Sequence, residues 1–127
     1  MEHYYVKIYS DFREKVRDFD IVKCEGLADY YKEIECSCIE TAPIYNSLKG
    51  KYKDFPSLLI IDENGKLDGK GINIIASFLF SNPCDFIVGN CLLAKIEGED
   101  FCGYTEEECE KIIQELKEYF KIGENSR

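Results

Sequence analysis

The chain has 127 residues, of which 45% are hydrophobic and 13% aromatic, and its formal net charge at pH 7 is −9. This length and apolar content exclude a disordered chain and favour one core, so we interpret residues 1–127 as a single domain. No apolar run approaches the roughly 20 residues of a membrane-spanning helix, and the N-terminus has a strand pattern rather than a signal peptide. We therefore expect a cytoplasmic protein with no membrane partner.

Short strand and helix patterns follow one another along the chain without a repeat or a low-complexity tract. The predicted strands are 4–10, 19–23, 35–43, 58–61 and 85–96, and the predicted helices before the last one are 27–34 and 74–80. Residues 45–56 have no clean period and contain three lysines, which favours an exposed connection. Asn64-Gly65 predicts a type I′ hairpin with residues 66–68 returning, and residues 98–104 predict a turn region.

The clearest element is an amphipathic helix over residues 105–120. Thr105 and Glu108 have the spacing of a capping box, and apolar residues recur behind them at helical intervals from Cys109 to Phe120. Gly123 is expected to end the helix and the tail 122–127 to fray. The predicted class is α+β: a small antiparallel or mixed β-sheet packed by two to three short helices, with a C-terminal amphipathic helix.

Seven cysteines without an export signal indicate reduced thiols, mostly in apolar patterns. Cys36 and Cys38 would share one face of a strand, but no second ligand pair accompanies them, so we predict no metal and no cofactor. Whether these two thiols bind a metal stays open. The one histidine, His3, lies near the N-terminus without a fixed nucleophile as its partner, and we expect no enzymatic activity.

Four short motifs stand in order in the C-terminal part of the chain. They are D-E-x-G-K-L-x-G at 62–69, N-x-x-A at 73–76, I-V-G at 87–89 and T-E-E-E at 105–108. Over roughly the C-terminal 70 residues, the chain resembles a family of small proteins of unknown function from phages and other mobile elements. Tyr104 departs from the family's more usual leucine. The resemblance implies origin and context rather than a chemistry.

Negative charge is concentrated near the C-terminus. Between Glu97 and Glu118 nine acids oppose two lysines, a net charge of −7. Such a charge repels nucleic acid directly and attracts basic protein surfaces. With the resemblance, it predicts a non-enzymatic inhibitor of a host defence protein, of the anti-CRISPR or antirestriction class, acting in the host cytoplasm. The residues predicted to contact the basic surface of that host protein are Glu97, Glu99, Asp100, Phe101, Tyr104, Glu106, Glu107 and Glu110.

The alternative is a module that sequesters a small anionic ligand, such as a nucleotide immune signal. Glycines before a helix start can hold a phosphate, and lysines would flank it. The residues predicted for this site are Lys66, Gly69, Lys70, Gly71 and Asn73. A G-K-[ST] phosphate loop is missing from the sequence, which makes this motif a weak one. The sequence also leaves open whether the protein forms a homodimer.

Overall fold

The computed structural model describes residues 2–10, 19–45 and 57–120. Their elements in chain order are β1 Tyr4–Ile8, β2 Phe19–Lys23, α1 Leu27–Ile34, β3 Ile39–Pro43, β4 Ser57–Asp62, α2 Ile74–Phe80, β5 Cys91–Glu97, β6 Asp100–Cys102 and α3 Glu106–Phe120. The strands form one six-stranded sheet in which each described pairing is antiparallel. This architecture confirms the predicted α+β class.

The sheet is built around β5. The strand order is β2-β1-β5-β4-β3, and β6 pairs with the C-terminal end of β5. Residues 91–94 of β5 are buried on both faces of the sheet, which explains why this stretch of the sequence is continuously apolar. Because β5 is central and covered on both faces, its sequence lacks the alternation of apolar and polar residues that a half-exposed strand would show.

Helices cover both faces of the sheet. The larger core lies on the face covered by α2 and α3, where residues such as Val6, Leu93 and Ile112 pack together. The smaller core lies on the opposite face under α1, around Ile34 and Leu92. Consecutive residues of β5 point to opposite faces and so join different cores. None of the helices in the described part of the chain is long and apolar enough to cross a membrane.

The predicted Asn64-Gly65 hairpin is wrong. Gly65 has no positive φ, residues 66–68 form turns rather than a returning strand, and β4 pairs instead with β3 and β5. The glycine is needed for another reason, because a Cβ on Gly65 would lie 2.7 Å from Val88 Cγ2. A close tertiary contact, rather than hairpin geometry, therefore explains this residue.

Two further strand predictions differ from the structure. Residues 85–90 do not extend β5, since the backbone N–H of Asn73 donates to the carbonyl of Ile87 (2.8 Å) and Gly89 adopts a φ of +78°. The segment therefore bonds to the start of α2 and joins the sheet only at Cys91. Conversely, the predicted turn region 98–104 contains β6, whose residue Phe101 pairs with Ile96.

The strand predicted over 35–43 is shorter than expected. Glu35 has a φ of +64° and ends α1, so β3 begins only at Ile39. Cys36 and Cys38 therefore lie outside a strand, and Cys38 is exposed. The predicted connection after Tyr45 and the tail 122–127 lie outside the described residues.

Candidate partner-binding surface and cleft

The β5–β6 hairpin and the start of α3 lie side by side because three residues connect β6 to α3. Six of the carboxylates predicted to contact a partner are exposed here, and we call them the acidic surface: Glu97, Glu99, Asp100, Glu106, Glu107 and Glu110. Glu97 and Asp100 stand directly opposite each other across the hairpin. Like charges in that position destabilise a sheet, so their presence is not explained by folding stability.

Lys95 is the one cation between residues 95 and 110 and is already engaged. Its Nζ lies 3.3 Å from Glu2 Oε2 and 3.4 Å from Glu108 Oε1. Partial burial opposes the charged form of Lys95, but these carboxylates outweigh it and raise its pKa. The lysine thus links the N-terminus, the hairpin and α3, and among the described residues the six acids of the acidic surface form no ion pair.

The capping box of α3 fixes the orientation of the helix start. Thr105 N–H donates to Glu108 Oε1 (2.9 Å), and Glu108 N–H donates to Thr105 Oγ1 (3.1 Å). Partial burial would raise the pKa of Glu108, but the Thr105 N–H and Lys95 lower it overall. The predicted cap is confirmed, and it projects Glu106 and Glu107 from the first turn.

The two aromatic residues predicted with these acids lie elsewhere. Phe101 points to the α1 face, where its ring centroid is 5.8 Å from that of Tyr30, whereas Glu97 and Asp100 share the other face. Tyr104 is 0% exposed, and its hydroxyl donates to the carbonyl of Ala94 (3.1 Å) and hydrogen-bonds with Ser57. Burial raises the pKa of Tyr104. The acidic surface consists of carboxylates without these aromatic rings.

A sequence signal for the burial of Tyr104 exists. It precedes the cap residue Thr105 and therefore occupies the hydrophobic-staple position, which packs against the residue four after the cap. That residue is Cys109, and both side chains lie in the larger core.

The residues predicted to bind an anionic ligand differ in their burial and in their hydrogen-bond partners. Asn73 is 0% exposed, and its Nδ2 donates to the carbonyls of Ile8 (3.0 Å) and Gly89 (2.9 Å), while its Oδ1 accepts from Ala76 N–H (3.1 Å). These hydrogen bonds commit the side chain of Asn73 to the fold rather than to a pocket.

The two lysines of this predicted site point to different partners. Lys70 Nζ lies 2.7 Å from Asp62 Oδ2 and donates to the carbonyl of Glu35 (2.6 Å). Lys66 pairs with Asp85 and lies over the ring of Phe86, with Nζ 4.6 Å from the ring centroid. Gly69 and Gly71 are exposed. Of the five residues, Lys66 is the one that lines the cleft described next.

The cleft has a volume of about 370 Å³ and lies beside β3, on the face of the sheet that α2 covers. Its apolar lining includes Ala42, Ile61 and Phe80. Its acidic lining residues are Glu40, Asp62, Glu63 and Asp85. The volume is in the range of small-molecule and side-chain pockets. The sequence did not predict this cleft. Residues 85–88 form part of its lining, and the apolar pattern had assigned them to the strand predicted over 85–96.

The thiols divide by burial. Cys24, Cys91 and Cys109 are buried, and Cys38 and Cys84 are exposed. Burial raises the pKa of Cys24 and Cys109, each to about 12. In the described ranges, no three His, Cys, Asp or Glu side chains are grouped so that they could hold a metal ion.

A known family covers nearly the whole described structure. The family described as a domain of unknown function, DUF3846, matches residues 8–120. The chain belongs to this family. The match runs from the end of β1 to the end of α3, and so extends well beyond the C-terminal part on which the resemblance depended. Comparisons with curated proteins and with solved structures found no match.

Proposed function

We propose that this DUF3846 protein is a non-enzymatic binding protein whose acidic surface docks onto a basic surface of another protein. The observation that supports the proposal is the exposure of six carboxylates on the β5–β6 hairpin and the adjoining start of α3. Charges placed in this way steer a basic partner to the site and set the orientation of docking. Repulsion of phosphates makes direct nucleic-acid binding unfavourable.

We infer that the partner is a nucleic-acid-binding protein of a host defence system. A groove that binds DNA or RNA is lined by lysine and arginine, and a row of carboxylates competes for the same side chains. The motif resemblance to phage and mobile-element proteins supports this context. The protein would then act as an inhibitor in the host cytoplasm by occupying the groove.

Charge reversal at four positions tests the proposal. We would replace Glu99, Asp100, Glu106 and Glu107 with lysine, which raises the formal net charge from −9 to −1. The matched control carries the same change at four exposed acids elsewhere, Glu25, Glu35, Asp68 and Glu118. Both variants have the same net charge, so a difference between them reports the location of the charge.

The measurement is a pull-down from host lysate, followed by titration of each captured protein at increasing salt. We expect the natural protein and the control to capture the same nucleic-acid-binding protein, and the surface variant to lose it. Binding should weaken with salt, and a DNA or RNA ligand of the partner should compete. Equal capture by all three proteins would show that the acidic surface is not the binding site.

One observation favours the alternative function, the sequestering of a small anionic ligand. Lys66 lines a cleft of about 370 Å³. The acids around that cleft oppose an anion, which is why we place this function second. A thermal-shift screen with nucleotides tests it, because a ligand at 100 times its Kd stabilises the fold by about 2.7 kcal/mol. Absence of a shift with every nucleotide would remove the alternative.

A further inference from the structure

The outer edge of β3 has free backbone positions in the described structure. β3 ends the strand order, and no strand in 2–10, 19–45 or 57–120 pairs with its outer side. Glu63 N–H donates to the carbonyl of Cys38 (3.0 Å), which directs residue 38 toward the β4 side. Hydrogen bonding alternates along an antiparallel pair, so Ile39, Thr41 and Pro43 direct their backbone groups outward. Pro43, which has no N–H, suits such an outward position.

The cleft lies beside this edge on one face of the sheet. Glu40 and Ala42 line it and are two residues apart, so their side chains share that face. A strand added along β3 would place every second side chain on the same face, at the cleft. Exposed backbone groups and an adjoining cleft are the two features by which sheet edges bind extended peptides.

The charge around the cleft favours a basic side chain. Glu40, Glu63 and Asp85 line it together with one exposed lysine, Lys66, and that lysine is paired with Asp85. Asp62 also lines the cleft, and its carboxylate is paired with Lys70. Glu40 and Glu63 therefore remain as the acids without a lysine opposite them among these residues. The apolar floor at Ala42, Ile61 and Phe80 accepts an aliphatic side chain.

We propose that β3 binds an extended peptide as a seventh strand of the sheet. The peptide carries a basic residue opposite Glu40 and an aliphatic residue two positions away, opposite Ala42. Opposite charges facing each other across adjacent strands stabilise the pairing. This surface is separate from the acidic surface on the hairpin and α3, and the proposal does not depend on it.

The test is a nuclear magnetic resonance titration of the full chain with two synthetic peptides. One is Thr-Val-Thr-Lys-Thr-Thr, which pairs antiparallel to β3 with its valine opposite Ala42 and its lysine opposite Glu40, and the other has glutamate in place of lysine. We expect the lysine peptide to shift and protect the amides of Ile39 and Thr41. Glu40→Lys should weaken binding of the lysine peptide about three- to tenfold and strengthen binding of the glutamate peptide to a similar extent.

A backbone variant tests strand addition itself. Thr41→Pro removes an outward N–H and no bond to β4, so it should abolish binding, whereas Thr41→Val should bind normally. Far-UV circular dichroism would check that both variants fold. If Thr41→Pro does not fold, Glu40→Lys still tests the proposal, because Glu40 is exposed.

Four results would overturn the proposal. Two concern the location of binding: amide shifts in residues 97–110 in place of 39–43, or normal binding by a folded Thr41→Pro variant. The other two are equal binding of the lysine and glutamate peptides, and no amide shift with either peptide. Self-association of the protein through β3, measured by light scattering and lost in Thr41→Pro, would assign this edge to a second copy of the chain and also overturn it.

Discussion

Asn73 Nδ2 donates a hydrogen bond of 3.0 Å to the carbonyl of Ile8, joining the start of α2 to the end of β1. The two residues are 65 positions apart in sequence and are both fully buried. The same amide donates to Gly89, just before β5. One side chain therefore caps a helix and connects that helix to the two neighbouring strands β1 and β5.

Replacing Asn73 should be among the most destabilising polar changes. Asn73→Ala removes the cap and leaves two buried carbonyls without this donor, at a cost of about 2–4 kcal/mol in the free energy of unfolding. Asn73→Asp keeps an acceptor for the Ala76 N–H but sets a carboxylate against both carbonyls, so it should be destabilised at pH 7 and recover when the acid is protonated.

Urea unfolding at pH 7 and pH 5 measures both Asn73 variants. Asn82→Ala is the control, because its side chain accepts a single exposed hydrogen bond, from Cys84 N–H. A loss for Asn73→Ala as small as that for Asn82→Ala would contradict the structural role of Asn73.

Tyr104→Phe should destabilise the fold without affecting partner binding. The change removes the hydroxyl that donates to Ala94 and contacts Ser57 in the core, at a cost of about 1–2 kcal/mol. Tyr119→Phe, at the exposed end of α3, should change stability by less than about 0.5 kcal/mol. Chemical denaturation gives the stabilities, and the pull-down gives the binding. Reduced capture by folded Tyr104→Phe would contradict the assignment of Tyr104 to the core.

The capping box should make stability depend on pH. The pKa of Glu108 is lower in the folded chain than its ordinary value, so its carboxylate stabilises the fold above that value. This contribution is lost as the pH falls through the folded pKa. The stability difference between the natural protein and Glu108→Gln should therefore shrink from pH 7 to pH 3.

Two variants in the same helical turn complete this test. Thr105→Ala removes the other half of the cap and should cost about 1 kcal/mol. Glu107→Gln, which changes the same charge at an exposed position, should leave stability within about 0.5 kcal/mol at pH 7. Unfolding curves at several pH values measure these effects. Equal losses for the Glu107 and Glu108 variants would argue against the cap.

Thiol labelling should separate the cysteines by burial. The thiolate is the reactive form, and burial both blocks access and raises the pKa. We expect Cys38 and Cys84 to react rapidly with an aromatic disulfide reagent at pH 7.5, and Cys24, Cys91 and Cys109 to react after unfolding. Burial and Glu97 raise the pKa of Cys102 to about 11, so it should react slowly. Rapid reaction of the buried thiols in the folded protein would contradict this core.

Local rules predicted the elements whose signals lie within one turn or one face. The helix start at Thr105 depends on a side chain that accepts a hydrogen bond from a backbone N–H three residues away, and this predicted cap is confirmed. Local sequence signals gave the wrong element where the residue type is determined by a contact with a residue distant in the sequence. The Asn64-Gly65 pair predicted a hairpin turn, but the structure requires a glycine at position 65 because Val88 packs against it.

The candidate sites show the same division. The sequence by itself determined the concentration of carboxylates near the C-terminus, because charge can be counted along the chain, and it determined the amphipathic helix from its period. Only the tertiary structure decided that Tyr104 is in the core, that Phe101 lies on the opposite face from Glu97, and that a cleft adjoins the edge of β3 with which no described strand pairs. Those facts depend on strand order and register, which arise from packing between residues far apart in the sequence.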